Sequence, residues 1–342
     1  MNNRRVLFRA DGNHIIGLGH VVRSLALVEI LSPYFNCAFA ITDPSEELHQ
    51  TIVNICPDII ILDKDNSHKA FLNFLTGNEI VVLDGYNFTS VFKKSIKEIG
   101  CKLVLIDDEV KDYEDADLII NHCSDLIKDL YTLGSRQILL LGLDYLILRR
   151  PFRSAALNSR TIDDRINSVF ICMGGADPFN ITIKALDACI MTNFTKTIFI
   201  VIGSAYSHKD TLRSYISIIG NDKKVTIYED IPAEKIVRLI NKSHISICTS
   251  SSIALEICSV KSGVLTGIVA SNQQYIQENL LDKNCCLSIG NWHEASIERI
   301  SDKLNVLNNP KLINNMMHNQ HRAINGCSGN KLVNNFYKIS CS

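Results

Sequence analysis

The chain has 342 residues and a formal net charge of −1, with 46% hydrophobic and 21% charged residues. This length fits two globular domains, and the near-zero charge provides no basic field for nucleic acid and no polybasic signal for a membrane. No apolar run is long enough to span a bilayer. We therefore expect a two-domain protein with neither a nucleic-acid nor a membrane partner.

Seven short apolar runs in the first half of the chain predict β-strands, and helical patterns separate them. The runs cover residues 6–8, 37–41, 59–62, 80–83, 102–106, 118–120 and 138–141. Continuous apolar runs of this kind are typical of parallel strands that are buried on both faces. Residues 1–147 are therefore predicted to form an N-terminal α/β domain.

The segment that follows the first strand predicts a site for a phosphate group. It contains Gly17 and Gly19, and a helical pattern follows, with His20 in its first turn. A strand that turns through glycines into a helix leaves backbone N–H groups unpaired at the positive end of the helix dipole. A dinucleotide fingerprint is disfavoured because Val22 occupies its third glycine position. The alternative for His20 is an ordinary surface histidine.

Acidic and small polar residues follow several of the predicted strands. Among them are Asp63, the pair Asp84-Gly85 and the pair Asp107-Asp108. Ligands of open parallel sheets bind at the carboxyl ends of the strands, so these residues are expected along one edge of a ligand cleft. The segment Asp63-Lys64-Asp65 matches a metal-binding pattern, but acidic residues are common in this chain and no metal is predicted.

The second half of the chain repeats the α/β pattern after a basic stretch. Residues 148–165 are interpreted as a linker and residues 166–325 as a second α/β domain. Its predicted strands cover residues 169–172, 197–202, 225–228, 245–248 and 264–268, with helices at 181–192, 233–242, 253–260 and 273–281. Residues 326–342 are expected to form a helix that packs back on the first domain. Two doubly wound domains facing across a cleft would bind a small molecule between them.

Two further turns in the second half carry candidate binding residues. Gly174 and Gly175 follow a strand and permit close approach of a ligand, and Pro178 suits the first turn of the next helix. The alternative is a βα turn that needs glycine for its geometry alone.

A serine-rich segment opens a later helix. Ser250, Ser251 and Ser252 supply N-caps and hydroxyl donors, and Glu256 can accept hydrogen bonds from two vicinal hydroxyls such as a ribose diol. The alternative is a capped surface helix with a solvated glutamate. Asn272 and Gln273 add amide groups after the next strand.

These motifs resemble the UDP-2,4-diacetamido-2,4,6-trideoxy-β-L-altropyranose hydrolases of pseudaminic acid biosynthesis, relatives of the MurG-type GT-B glycosyltransferases. The resemblance runs through most of the chain. It is carried by Arg9-Ala10-Asp11, Ile16-Gly17-Leu18-Gly19-His20, Leu83-Asp84-Gly85-Tyr86, Tyr145-Leu146-Ile147-Leu148-Arg149-Arg150-Pro151-Phe152, Phe170-Ile171-Cys172-Met173-Gly174-Gly175-Ala176-Asp177, the serine-rich segment with Glu256, and Asn272-Gln273. Gly85 departs from the bulkier polar residue usual in that family, and the chain is longer than compact members.

The resemblance implies a GT-B fold of two Rossmann-like domains and a role for each candidate residue. His20 would be the general base, Tyr86 and Asn272 would position sugar or water, and Glu256 would hold the uridine ribose. The substrate-binding set would be Gly17, Gly19, Arg149, Gly174, Gly175, Ser250, Ser251, Ser252, Glu256 and Gln273.

The expected reaction is hydrolysis of a UDP-linked 2,4-diacetamido-2,4,6-trideoxy sugar to UDP and the free sugar. Water would attack the anomeric carbon with inversion, and neither a metal nor another cofactor is expected. The partner is a small-molecule UDP-sugar, and the location is predicted to be the cytoplasm. The oligomeric state stays open and is compatible with a monomer. The alternatives are a GT-B glycosyltransferase with a UDP-sugar donor and a non-catalytic sensor of nucleotide sugars.

Overall fold

The structure, a computed structural model, describes residues 4–12, 17–163, 165–219 and 223–341. The chain divides into two compact units. The first comprises Met1–Arg150 together with Cys327–Ser342, and the second comprises Pro151–Gly326.

The first unit contains a seven-stranded parallel sheet with helices between its strands. The strands are β1 (Val6–Ala10), β2 (Cys37–Thr42), β3 (Ile59–Leu62), β4 (Ile80–Asp84), β5 (Lys102–Ile106), β6 (Leu118–Asn121) and β7 (Ile138–Leu141). The helices are α1 (Gly19–Leu31), α2 (Glu46–Ile55), α3 (Ser67–Leu72), α4 (Ser90–Ile99), α5 (Arg150–Ala156), which continues into the second unit, and the C-terminal α13 (Ser328–Ser340).

The strand order of this sheet is β3-β2-β1-β4-β5-β6-β7. The order reverses between β1 and β4, which pair in parallel with Ala10 opposite Asp84. Every residue of β1 and β4 is buried, as their continuous apolar runs predict. In sheets of this kind the point of reversal opens a crevice at the carboxyl ends of the strands, and Ala10 and Asp84 both lie at that edge.

Local sequence signals account for several helix ends. Thr89 accepts a hydrogen bond from the N–H of Phe92 at the start of α4, and Gly100 ends that helix with a φ of 108°. Side-chain caps of this kind satisfy amide groups that the helix itself leaves unpaired.

The C-terminal helix α13 packs on the core of the first unit. Leu332, Phe336 and Ile339 are buried in the same cluster as the apolar side chains of α1 and β1. The Ser328 hydroxyl donates to the carbonyl of Leu146 at 2.6 Å. Helix α13 is therefore part of the core of the first unit.

The second unit contains a six-stranded parallel sheet of order β10-β9-β8-β11-β12-β13. Its strands are β8 (Ser168–Cys172), β9 (Thr197–Ile202), β10 (Lys224–Glu229), β11 (Ile245–Thr249), β12 (Gly263–Ile268) and β13 (Leu287–Asn291). Its helices are α6 (Ile181–Met191), α7 (Lys209–Ile218), α8 (Ala233–Asn241), α9 (Ser252–Val260), α10 (Gln274–Asp282), α11 (Ile297–Leu307) and α12 (Pro310–Ala323). Here the order reverses between β8 and β11.

The sequence predicted most of these elements, with several differences. Helix α7 is not among the predicted helices, and helix α5 lies within the predicted linker. Strand β13 has no counterpart among the predicted strands. Helix α1 begins at Gly19, so His20 lies in its first turn as predicted. Helix α6 begins at Ile181, so the placement of Pro178 in its first turn was wrong. None of the helices within the described ranges is long and apolar enough to cross a membrane.

Candidate functional site

His20 lies at the point where the strand order of the first sheet reverses. It occupies the first turn of α1, and its Nδ1 atom is 2.7 Å from Oδ1 of Asp84 at the end of β4. The His20 side chain is 14% exposed and Asp84 is fully buried. A partly exposed imidazole therefore contacts a carboxylate that is inaccessible to solvent.

Arg23 and Ser24 complete the partners of Asp84. The Arg23 guanidinium donates to both carboxylate oxygens, from Nε at 2.9 Å and from Nη2 at 2.6 Å, and the Ser24 hydroxyl donates at 3.2 Å. Burial alone raises the pKa of Asp84. The Arg23 charge and the hydrogen bonds from Arg23 and His20 outweigh this effect and lower the pKa to about 2. Asp84 is thus ionised at neutral pH.

The ionised Asp84 determines which nitrogen of His20 carries the proton. Nη2 of Arg23 also lies 3.3 Å from Nδ1, but it donates to the nearer Oδ1 of Asp84 at 2.6 Å. An ionised carboxylate only accepts hydrogen bonds, so Nδ1 donates to Asp84 across the 2.7 Å contact. In the neutral imidazole Nε2 is then unprotonated and can accept a proton. A buried carboxylate that orients an imidazole and leaves its other nitrogen available is an arrangement that can serve as a general base.

Tyr86 and Asp108 extend the cluster on the side of β5. The ring of Tyr86 meets that of His20 edge-on with centroids 4.7 Å apart, and its hydroxyl donates to Oδ2 of Asp108 at 3.2 Å. The same oxygen accepts from Nη1 of Arg23 at 3.2 Å. The structure thus joins His20 and Tyr86, which the sequence singled out, through a network that includes Arg23 and Asp108.

The turn before His20 also has the features of an anion site. Helix α1 has no acidic residue in its first turn, and its N-cap Leu18 provides no side-chain hydrogen bond. Gly17 has a φ of 80°, which favours glycine. Among the residues that the structure describes, Gly17 and Gly19 therefore precede amide groups to which the N-cap residue gives no side-chain hydrogen bond. Ile16 of the same motif lies outside the described residues.

Arg149 lies away from the cluster around His20 in the first unit. It is half-buried and directly precedes α5. The N–H of its neighbour Arg150 donates to Glu29, near the last turn of α1, at 3.3 Å. The backbone of Arg149 is therefore near the opposite end of α1 from His20.

The candidate residues of the second unit also lie where its strand order reverses. Gly174 and Gly175 follow β8, and Gly174 has a φ of 94°. A Cβ atom on Gly203, after β9, would lie 2.7 Å from Cα of Gly175. Close backbone approach therefore requires glycine at position 203 and fixes the Gly174-Gly175 turn.

The side chain of Asp177, four residues before α6, caps the N-terminus of that helix. Its carboxylate accepts from the N–H groups of Ile181 at 2.9 Å and Thr182 at 2.8 Å. Since this helix start is already capped by a carboxylate, a phosphate at the same turn would depend on the amides of Gly174 and Gly175 rather than on those of α6.

The three serines at the start of α9 differ in their exposure to solvent. Ser250 is fully buried, and its hydroxyl lies 3.0 Å from that of Thr266 and donates to Gln277 at 3.3 Å. Ser251 is the N-cap of α9, but its hydroxyl contacts Thr249 rather than an amide of the helix. Ser252 is exposed. The three serines thus leave the helix start without a side-chain cap.

Glu256 is buried, and Asn272 and Gln273 after β12 are half-buried. Glu256 is 8% exposed, which contradicts the alternative of a solvated glutamate. The side-chain oxygen of Gln273 accepts from the N–H of Val269 at 2.9 Å and so shapes the loop after β12. Asn272 is half-buried in the same loop.

Arg23 of the first-unit network was not among the sequence candidates, and Asp84 and Asp108 were expected only along the edge of the cleft, without a role towards His20 or Tyr86. Arg23 and Asp108 bind the carboxylate and the tyrosine, and Asp84 orients His20. Two signals were available: Arg23 is three residues after His20 and so shares its helix face, and Asp84 ends an apolar strand.

Among the described residues, no group of three or more His, Cys, Asp and Glu side chains is arranged to hold a metal ion.

Comparison with known sequences yields relatives of this chain, although no family model matches it. It is 26% identical over 284 residues to the UDP-2,4-diacetamido-2,4,6-trideoxy-β-L-altropyranose hydrolase of Campylobacter jejuni, covering 79% of this chain and 93% of that protein. It is 28% identical over 215 residues to the spore coat polysaccharide biosynthesis protein SpsG of Bacillus subtilis, covering 60% and 62%. An uncharacterized protein of Methanocaldococcus jannaschii is 26% identical over 66% of this chain, which spans about half (48%) of that relative's length.

Comparison with solved structures identifies the fold. MurG of Acinetobacter baumannii superposes with a TM-score of 0.72 and 12% identity, covering 98% of this chain and 99% of that one. HepE of Anabaena, solved in complex with UDP and glucose, gives a TM-score of 0.65 and 10% identity over 98% and 100%. The chain thus has the fold of GT-B glycosyltransferases such as MurG, and the resemblance to the UDP-diacetamido-trideoxy-altropyranose hydrolases that its motifs predicted is confirmed over most of its length.

Proposed function

We propose that this protein hydrolyses a UDP-linked 2,4-diacetamido-2,4,6-trideoxy sugar to UDP and the free sugar, in nonulosonic acid biosynthesis. The observation that carries the proposal is the buried contact between His20 and Asp84, which orients an imidazole as a base. The sequence similarity to the Campylobacter jejuni hydrolase, which covers 93% of that protein, supports the choice of substrate.

The proposed reaction begins with a water molecule beside Nε2 of His20. As the water oxygen bonds to the anomeric carbon, its proton passes to Nε2, and the electrons of the breaking C–O bond go to the diphosphate oxygen of UDP. Asp84 stabilises the imidazolium that forms. Attack from the face opposite the leaving group inverts the anomeric configuration.

The leaving UDP needs stabilisation of its negative charge. Uncapped amides at a helix start supply such stabilisation without a metal, and the first turn of α1 is of this kind. We assign nucleotide binding to the second unit, with Gly174, Gly175 and Ser252 near the diphosphate and Glu256 on the ribose. Tyr86 and Asn272 are assigned to the sugar and the attacking water.

The test is proton NMR of the purified protein with UDP-2,4-diacetamido-2,4,6-trideoxy-β-L-altropyranose and no acceptor. We expect free sugar whose first-formed anomer has the inverted configuration. In water enriched in ¹⁸O the label should enter the sugar and not UDP, because the C–O bond breaks. Label in the phosphate of UDP would contradict the mechanism.

A GT-B glycosyltransferase is the second candidate, because the fold is shared with such enzymes and the same base would accept a proton from an acceptor hydroxyl. The two functions differ in one measurement. A transferase would release UDP only after an acceptor sugar is added, whereas the hydrolase releases it in water alone. Binding of the UDP-sugar without any product after prolonged incubation would instead indicate a sensor.

A further inference from the structure

A cavity of about 230 Å³ in the first unit lies beside the proposed base, at the carboxyl ends of β4 and β5. Its lining includes Gly85, Tyr86, Phe88, Lys93, Asp108 and Asp112. Two of these, Tyr86 and Asp108, belong to the network around His20 described above. A molecule in the cavity would therefore be adjacent to a group that contacts the imidazole.

The wall of the cavity formed by β4 and the turn after it is fixed by close packing. Gly85 has a φ of 150°, and a Cβ atom on it would lie 3.2 Å from the ring of Phe88. The ring of Phe88 is 5% exposed. Glycine at this position therefore lets an aromatic ring close one side of the cavity.

The loop after β5 also lines the cavity, and two of its residues have an unfavourable backbone conformation. Val110 and Asp112 have φ values of 59° and 51°, in the left-handed region that is unfavourable for residues with a side chain. Asp107 accepts from the N–H groups of Glu109 and Val110, both at 3.0 Å, and from the hydroxyl of Tyr131 at 2.7 Å. These bonds hold the loop in place without a ligand, so the cavity is preformed.

Lys93 supplies an unusual donor to this cavity. Its side chain is 8% exposed, and within the described ranges its ammonium has one hydrogen-bond partner, the carbonyl of Asp112 at 2.9 Å. Burial lowers the pKa of Lys93, and the carboxylate of Asp112 opposes that effect. An ammonium carries three N–H donors, so two remain for a ligand.

The charged and apolar side chains that line the cavity limit which chemical groups can bind there. Its lining carries four carboxylates against two lysine ammonium groups, together with the apolar side chains of Leu83, Leu105 and Ile106. The excess of carboxylates disfavours an anionic group. The apolar wall suits a methyl group, and the Lys93 donors suit a carbonyl oxygen.

We propose that this cavity binds a neutral amide substituent of the sugar, with Lys93 donating to its carbonyl oxygen and the apolar wall contacting its methyl group. Lys93 is thereby a specificity residue for acylated amino sugars. This inference rests on the proposed function, since it takes the ligand to be the sugar of a nucleotide sugar.

The test compares Lys93→Met with Lys94→Met, because Lys94 is the exposed neighbour on the same helix and does not line the cavity. Calorimetric binding of UDP-2,4-diacetamido-2,4,6-trideoxy-β-L-altropyranose and of UDP is measured in a His20→Ala background, where turnover does not interfere. We expect Lys93→Met to raise the Kd of the nucleotide sugar about tenfold, as for loss of one charge-assisted hydrogen bond. The Kd of UDP should not change, and Lys94→Met should leave both values as they are.

The proposal is overturned if Lys93→Met leaves the Kd of the nucleotide sugar unchanged, or if it weakens UDP by the same factor. Lys93→Gln retains a donor for the carbonyl of Asp112, and it serves as the second variant if Lys93→Met does not fold. We expect it to show a smaller loss of nucleotide-sugar affinity, and no loss at all would overturn the proposal. Turnover is measured separately in the protein with His20 intact: if that protein binds the ligand without hydrolysing it, the proposed function is contradicted, while the binding comparison still tests the cavity.

Discussion

Nδ1 of His20 and Oδ1 of Asp84 are 2.7 Å apart although 64 residues separate them in the chain. The parallel pairing of β1 with β4 brings this about, because α1 follows β1 and Asp84 is the last residue of β4. The fold thus assembles an oriented imidazole from two elements that are adjacent only in the sheet.

The first prediction concerns the two members of this pair. We expect His20→Ala and Asp84→Asn each to lower kcat by about 10²-fold or more, since general bases contribute about 10²–10⁴-fold. The Kd of UDP, measured by calorimetry, should stay the same. His318→Ala, an exposed position on α12, is the control and should keep full activity. An equal loss of UDP affinity in His20→Ala would make His20 a binding residue instead.

The second prediction concerns Arg23 and acid stability. The folded-state pKa of Asp84 is about 2, below the ordinary 3.8. Its stabilising contribution is therefore complete above about pH 4 and is lost as the pH falls towards 2, and it amounts to about 2 kcal/mol. Arg23→Gln removes the charge that opposes burial, so the folded-state pKa of Asp84 should rise towards or above its unfolded value, and the loss of stability between about pH 4 and pH 2 should become smaller.

Urea unfolding at a series of pH values measures this shift. At pH 7 we expect Arg23→Gln to lower the free energy of unfolding by about 3 kcal/mol, as for breaking a buried ion pair. Arg213→Gln is the matched control, because Arg213 is 57% exposed and pairs with Glu229 at the surface. Such surface pairs contribute less than about 1 kcal/mol. Equal effects of the two substitutions would contradict the account of Asp84.

The sequence predicted the elements whose residues are apolar throughout and missed those that depend on tertiary contacts. Strand β1 and strand β11 are buried at every residue, and their apolar runs were sufficient. Strand β13 alternates apolar with small polar residues and is only partly buried, so it lacked that signal. Its pairing with β12 is what makes it a strand.

The candidate site divides in the same way. The motif around His20 could be predicted from neighbouring residues alone, because glycines before a helix start indicate a turn with unpaired amide groups. The role of Asp84 could not, since it depends on the neighbouring strand. Pro178 was placed in a helix because proline favours first turns, but Asp177 caps α6 and the helix begins only at Ile181.

The third prediction tests whether Glu256 binds a ribose diol. We expect Glu256→Gln to raise the Kd of UDP about tenfold, because an amide replaces a charged acceptor of hydroxyl hydrogen bonds. The Kd of 2′-deoxy-UDP should rise less, since one of the two hydroxyls is already missing. Glu278→Gln, at an exposed position on α10, should leave both values unchanged. Equal losses for the two nucleotides would exclude contact with the 2′-hydroxyl.

The fourth prediction concerns the approach of Gly203 to the Gly174-Gly175 turn. A Cβ atom at position 203 would lie 2.7 Å from Cα of Gly175, and the obstacle is backbone, which cannot move aside as a flexible side chain does. We therefore expect Gly203→Ala to lower the free energy of unfolding by about 1–3 kcal/mol and to weaken UDP binding by displacing the turn. Gly134→Ala is the control, because its Cβ would meet only the Gln137 side chain, at 3.6 Å. Thermal unfolding and calorimetry measure both effects. A destabilised Gly203→Ala that still binds UDP with wild-type affinity, measured below its melting temperature, would show that the nucleotide does not contact this turn.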